Sequence, residues 1–365
     1  MKSPRKLKKK LLSIDARMLF AGGIGTYEQE LLKRMNFDEL GLPVEIYYRT
    51  EKEKEWLAQH QPKATLKHCP HWIYKPAEQF YWMQHLRGGV FWAPHYNIPF
   101  FGYEKLVVTL HDGAFALTKH VPWFYNLYAG IMFWWINLRA NAALAVSAFG
   151  KRMSIENGKL TRVPICVTNL GVDEAWFAPA KPESPYPFPY FVYVGNIKPH
   201  KNLTRMLQAY KLANPGIKLV CIGSFKNLKF KDKAAEQLMK EMGTDVIFVD
   251  EMRGEGLREV IKHSAGLILP SLYETFSMPP TEAMAAGVPV LSSRIPSMTE
   301  LHGNHVIYCD PYRVEDIANG ILELRDLRGA KRDAQIKAAQ EHIRQFVWEK
   351  TARETMDVLK KVLAE

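Results

Sequence analysis

The stretch from Leu267 to Ser293, LILPSLYETFSMPPTEAMAAGVPVLSS, constrains the fold more tightly than any other part of the chain. Its apolar run Leu267-Ile268-Leu269 reads as a buried strand, stopped by Pro270 and Ser271. A polar loop follows, Tyr273-Glu274-Thr275-Phe276-Ser277. The next residues predict a helix from Met278, because Pro279 and Pro280 are tolerated only in a first turn, where amides lack intrahelical partners. Gly287 ends that helix, and Val288-Pro289-Val290-Leu291 begins another strand. Strand, loop, helix and strand in this order form one unit of a parallel sheet, which makes the chain α/β.

A loop that feeds a helix N-terminus presents free amides and the positive end of the helix dipole, which suits a phosphate. The prolines donate nothing, so the predicted donors are the amides of Thr275, Phe276, Ser277 and Met278. Glu274 lies just before this anion site and Glu282 lies in the helix's first turn. Two carboxylates would repel phosphates, so they suit hydroxyl groups on either side of them. A ligand with phosphates in its middle and hydroxyls at both ends is a nucleotide sugar. A plainer reading stays open on residue chemistry alone: Glu282 complements the helix dipole and Glu274 is a solvated loop residue.

Glu274 and Glu282 are separated by seven residues, and PSLYETFSMPPTEAMAAGVPV resembles the E-x7-E signature of retaining GT-B glycosyltransferases of the GT4 family. The resemblance covers nearly the whole chain. It implies two Rossmann-like domains facing a cleft, with a C-terminal helix crossing back to the first. It also implies transfer of a hexose from a nucleoside diphosphate sugar to an acceptor with retention of configuration. In that reading Glu274 holds hydroxyls of the donor sugar and Glu282 holds the ribose.

The rest of the chain fits two domains, as 365 residues exceed one ordinary core. Residues 1–178 form the expected first, acceptor-binding domain, joined by 347–365 crossing back. The proline-rich 179–189 reads as a stiff link, and 190–346 as the donor domain. Near the start, a strand leads to Gly22-Gly23-Ile24-Gly25, a glycine-rich loop that lets backbone approach a ligand closely. By the resemblance, Gly22, Gly23 and Gly25 meet donor phosphate or acceptor. The strand Lys105 to Leu110 ends at His111, where α/β sheets bind ligands. The family's comparable histidine contacts the transferred sugar, so His111 joins Glu274 and Lys201 as the expected catalytic set.

The loop Gly195-Asn196-Ile197-Lys198-Pro199-His200-Lys201-Asn202 resembles the family's donor-phosphate loop, usually G-R-x-x-x-x-K-G. Lys201 matches its lysine, while Asn196 replaces the arginine and removes one cation from the diphosphate. The version with Pro199-His200-Lys201-Asn202 resembles that of mannosyltransferase-like members, which implies GDP-mannose as donor.

No metal site is expected: no Asp-x-Asp occurs to hold a metal-bridged diphosphate, and Cys69, Cys166, Cys221 and Cys309 show no C-x-x-C spacing. No cofactor is expected beyond the nucleotide sugar as substrate. Lys and Arg number 49 against 38 Asp and Glu, a net charge of +11 that favours anionic partners. Nucleic acid is not among them, because no zinc-finger, RRM or helix-turn-helix signature is present.

An anionic membrane surface is an expected partner. Lys2, Arg5, Lys6, Lys8, Lys9 and Lys10 form a basic run, and Trp123 to Trp135 is densely aromatic, though core packing accounts for half of those rings. The acceptor is expected to be a glycan or a polyprenyl- or phospholipid-linked sugar. No secretory signal is visible and no apolar run reaches the ~18 residues of a membrane span, so a cytoplasmic protein is expected, peripheral on the inner face of the plasma membrane. Two rivals stay open: a nucleotide-sugar epimerase on the same fold, and a non-catalytic lipid- or polyanion-binding protein.

Overall fold

The computed structural model describes residues 10–111, 123–196, 198–223 and 233–365. The chain divides into two compact units: Met1–Gly171 with Trp348–Glu365, and Val172–Val347. The division falls ahead of the proline-rich 179–189, which belongs to the second unit and is largely exposed there. The chain crosses itself closely at Gly171. A Cβ on Gly171 would lie 2.2 Å from the Trp348 amide nitrogen, so only glycine lets these two passes of the first unit touch.

The first unit is built on β1 (Leu12–Asp15), β2 (Val44–Tyr48), β3 (Thr65–His68), β4 (Val90–Ala93), β5 (Lys105–Leu110), β6 (Ala142–Ala145) and β7 (Ile165–Val167). They form one parallel sheet in the order β3-β2-β1-β4-β5-β6-β7. Strands buried on both faces favour continuous apolar sequence, as in β4 and β6, which are buried at every position; β1 is equally buried but carries Ser13 and Asp15. The order reverses between β1 and β4, so the carboxyl ends of those strands mark the switch point where such sheets hold ligands. The helices are α1 (Gly22–Arg34), α2 (Glu51–His60), α3 (Pro76–His85), α4 (Trp123–Arg139) and α5 (Ala148–Glu156). The glycines expected as a loop instead form the first turn of α1. A Cβ on Gly25 would sit 2.7 Å from the carbonyl oxygens of both Met18 and Leu19, so the turn closes there only around glycine.

The second unit repeats the plan. Strands β8 (Tyr190–Val194), β9 (Lys218–Ile222), β10 (Val246–Val249), β11 (Gly266–Leu269), β12 (Val290–Ser293) and β13 (Ile307–Cys309) are parallel, in the order β10-β9-β8-β11-β12-β13. Its helices are α6 (Leu203–Ala213), α7 (Lys233–Met242), α8 (Gly254–Lys262), α9 (Met278–Ala285), α10 (Pro296–His302), α11 (Val314–Asp326) and α12 (Gly329–Ile343). Switch points therefore lie at β1/β4 in one unit and β8/β11 in the other, and both units are Rossmann-like. The last helix, α13 (Trp348–Ala364), returns to the first unit and packs on α1, β5 and β6.

Candidate active site

In the second unit, the expected donor residues collect at the carboxyl ends of β8 and β11. The short 3-10 turn Pro199–Lys201 precedes Asn202, whose backbone is left-handed (φ 59°), a conformation asparagine tolerates better than most residues. Buried Asn202 donates to the carbonyls of Pro270 (2.9 Å) and Pro311 (2.7 Å). The amide of Leu272 donates to the His200 carbonyl at 2.7 Å. These bonds clamp the loop after β8 to the loop after β11.

The clamp brings Lys201 Nζ to 2.6 Å from Glu274 Oε1, both largely buried. A cation and a carboxylate 73 residues apart in sequence thus share one site. Asn196 is exposed on the same loop. Close approach of the strand ends also matters: a Cβ on Gly223, after β9, would meet the Gly195 carbonyl oxygen at 2.1 Å.

The loop then enters α9. Thr275, Phe276 and Ser277 are buried, and the Phe276 ring meets Phe346 edge-on. Ser277 precedes the helix without capping it through its side chain, while the Thr281 hydroxyl donates to the Ser277 carbonyl at 2.8 Å. Met278 opens the helix, and the two following prolines contribute no N–H, which leaves a compact positive terminus beside Glu274.

Glu282, one turn on, is half-buried, and burial pushes its carboxyl up to about 7. Arg258 opposes that shift and Asp173 adds to it. A carboxyl raised in this way holds an extra proton in the folded state between its ordinary value and about 7, so stability falls as pH rises through that window. The ligand-free Glu282→Gln variant should therefore match wild type near pH 4.5. Above pH 7 it should melt about 2–4 °C higher. Melting curves across pH 4.5–8.5 check this, and a Tm difference independent of pH would contradict it.

In the first unit, His111 lies at the carboxyl end of β5, half-buried. Its Nε2 is 3.1 Å from the Pro94 carbonyl oxygen, and its ring meets Tyr27 edge-on at 4.7 Å. Tyr27 in turn is 3.2 Å from the Thr109 hydroxyl, which also accepts from Trp92 Nε1 at 3.1 Å. Asp112 and Gly113 lie outside the described residues. Gly22 and Gly23 have open space where a side chain would project, so only Gly25 of the three is held by packing.

A polar network at the β1/β4 switch point was not anticipated. Fully buried Arg17 bonds Asp15 at 2.7 Å and Glu78 at 2.8 Å. His95, after β4, approaches Asp15 at 3.2 Å, and Asn97 donates to Glu78 at 2.9 Å. Burial would raise the Asp15 carboxyl, but Arg17 and His95 overturn that and hold it well below its ordinary value. Glu28, buried on α1 near Asp15 and Glu53, is pushed well above its ordinary value by burial. The available signal was Asp15 itself, a charge at the end of an apolar run. A cavity of about 510 Å³ lined by Lys33, Asn36, His60 and Lys63 lies at the opposite, amino edge of this sheet. Its Lys33 and Lys63 are already paired with Glu30 and Asp38, so it is not the site favoured here.

Among the described residues no group of three or more His, Cys, Asp or Glu is placed to hold a metal ion.

Comparison with known proteins gives a consistent result. Residues 174–342 match the family model for glycosyl transferases group 1. The chain is 25% identical to O-antigen chain mannosyltransferase B of Escherichia coli, over 93% of this chain and 96% of that protein. It is 26% identical to O-antigen chain mannosyltransferase RfbU of Salmonella typhimurium, over 63% and 67%. In fold it is similar to sucrose-phosphate synthase from Thermosynechococcus elongatus, with a TM-score of 0.77 at 16% identity, covering 98% and 100% of the two chains.

Proposed function

We propose that this chain, a group 1 glycosyltransferase of the GT4-like kind, moves mannose from GDP-mannose to a glycan or lipid-linked acceptor in cell-surface polysaccharide synthesis. The observation that carries the donor-site reading is the Lys201–Glu274 pair at the mouth of α9. A diphosphate seated on the α9 terminus takes its charge compensation from that terminus and from Lys201. Glu274, freed from Lys201 by the arriving phosphate, turns to hydroxyls of the sugar. Glu282 accepts from the ribose. Asn196, where the family has arginine, leaves Lys201 and the helix terminus with a larger share of the neutralisation.

The bond from the sugar's anomeric carbon to the phosphate oxygen breaks as the bond to the acceptor oxygen forms. Retention follows if both occur on the same face, with the departing phosphate oxygen taking the acceptor's proton. The preorganised positive charge stabilises that leaving group, a large term in catalysis. The mannose assignment is supported by the similarity to the O-antigen chain mannosyltransferases of Escherichia coli and Salmonella typhimurium. No helix among the described residues is long and apolar enough to cross a membrane, and we place the enzyme in the cytoplasm, peripheral to the membrane that carries its acceptor.

Thermal shift against a panel of nucleotide sugars tests the donor. At a hundred times its Kd a true donor stabilises by about 2.7 kcal/mol through mass action. GDP-mannose should give the largest shift, and a larger one from a uridine sugar would overturn the choice. Product analysis should find free nucleotide with a new glycoside rather than an isomerised donor. Transfer should also survive EDTA, because the helix terminus and Lys201 supply the positive charge. Loss of transfer in EDTA, restored by magnesium or manganese, would show that a metal carries it instead.

A further inference from the structure

The aromatic helix α4 divides its rings between two faces. Phe133 is buried, and Trp135 donates through Nε1 to the Phe100 carbonyl at 3.1 Å. Tyr128 bonds Asn97 of the buried network. Core packing accounts for these three. The opposite face carries Trp123, Leu127, Ile131, Trp134 and Leu138, spaced by three and four residues and each between 44% and 75% exposed. Their spacing makes one stripe running the length of the helix, about 25 Å at 1.5 Å per residue. Phe124 and Tyr125 widen it at the first turn, and Phe101, against Trp135, widens it near the far end. An ordinary surface helix turns charges outward, but α4 has a single charged residue, Arg139, at its last position.

Charge is unevenly shared between the units. The first holds 27 Lys and Arg against 17 Asp and Glu, net +10, and the second 22 against 21, net +1. Three exposed cations stand by the end of α4. Arg139 closes the helix, the Arg162 amide donates to Asn137 at 2.9 Å, and Lys159 adjoins Gly158, which packs against Phe133. Glu156 is the acidic residue in that turn.

We propose that the outward stripe of α4 is a docking face for an anionic phospholipid surface, the helix lying in the headgroup layer with Trp123 and Trp134 inserted and Arg139, Lys159 and Arg162 on lipid phosphates. A second copy of this chain is disfavoured as occupant, because two units of net +10 would be brought together. Nucleic acid is disfavoured too, since the face has no cation between Trp123 and Leu138. Tryptophan favours the membrane interface, and a stripe of apolar residues beside clustered cations supplies the two weak signals that together hold a peripheral protein. Lipid binding by this face does not depend on the sugar donor. Its use in meeting a lipid-carried acceptor rests on the proposed function.

Flotation with phosphatidylcholine vesicles, with and without 30 mol% phosphatidylglycerol, tests this in the full chain. Wild type should float with the anionic vesicles only, and less as salt rises. Leu127→Glu/Trp134→Glu should bind at least tenfold more weakly while keeping the wild-type melting temperature and donor thermal shift, since both side chains already face solvent. Unchanged flotation of that variant, equal flotation with both vesicle types, or none by wild type would overturn the proposal. So would loss of flotation only when Lys8, Lys9 and Lys10 become Glu, which would assign binding to the basic run. Light scattering without lipid that finds a wild-type dimer and a monomeric variant would assign the stripe to self-association. A donor shift lost in wild type itself would count against the donor assignment and leave the lipid result intact.

Discussion

Glu274→Ala should lower kcat by about 10²–10³-fold, the scale of losing one preorganised contact to a transition state. Donor affinity should not fall with it. Glu274 neutralises Lys201 at 2.6 Å. Without the carboxylate, Lys201 stands unpaired beside the α9 terminus, and a diphosphate meets more positive charge, so donor Kd should stay level or tighten. Glu282→Ala removes a ribose contact made equally in the ground and transition states, so its donor KM should rise about 10–100-fold with kcat little changed. Steady-state kinetics with isothermal titration of the donor separates the two effects. If both variants keep wild-type turnover, the E-x7-E pair is not the donor site; if Glu274→Ala weakens donor binding as much as it slows turnover, the carboxylate is a binding group only.

Arg17→Ala should destabilise the protein by about 3–5 kcal/mol, because it leaves two buried carboxylates, Asp15 and Glu78, without their shared cation. The pH dependence carries the sign. In wild type the Asp15 carboxyl is held below its ordinary value, so its stabilisation is complete above that value and is lost only as pH falls towards the lowered one. Without Arg17, only His95 still opposes burial, and the Asp15 carboxyl rises from its wild-type position. The gap between wild type and variant should therefore be widest near pH 7 and narrow towards pH 4. Denaturant unfolding at several pH values measures it. A gap that is small, or constant with pH, would mean that Arg17 does not hold the Asp15 carboxyl down in the folded protein.

Much of the fold was legible along the chain. Runs such as Lys105 to Leu110 and Tyr190 to Val194 are too continuously apolar for anything but strands covered on both faces, and both lie inside parallel sheets. The proline pair after Met278 placed the start of α9, because an amide without a partner is tolerated only there. Local sterics and burial period act over a few residues, and the sequence carries that information wherever it is read. The glycine run differs: it forms the first turn of α1, where a Cβ on Gly25 would press on the carbonyls of Met18 and Leu19, a contact that local sequence does not carry.

Pairings over long separations were not legible. Nothing near Lys201 says that it meets Glu274. That contact exists because β8 and β11 are neighbours in the sheet and Asn202 ties their loops together. Arg17, Glu78 and His95 likewise come together only because β1 lies beside β4, with α3 against them. The two faces of α4 are separated by which rings find the core. The sequence by itself determined the local elements and the residue types available for chemistry. Tertiary structure decided which charges became partners and which apolar side chains were left outside, because those depend on strand order and close packing between segments far apart in the chain.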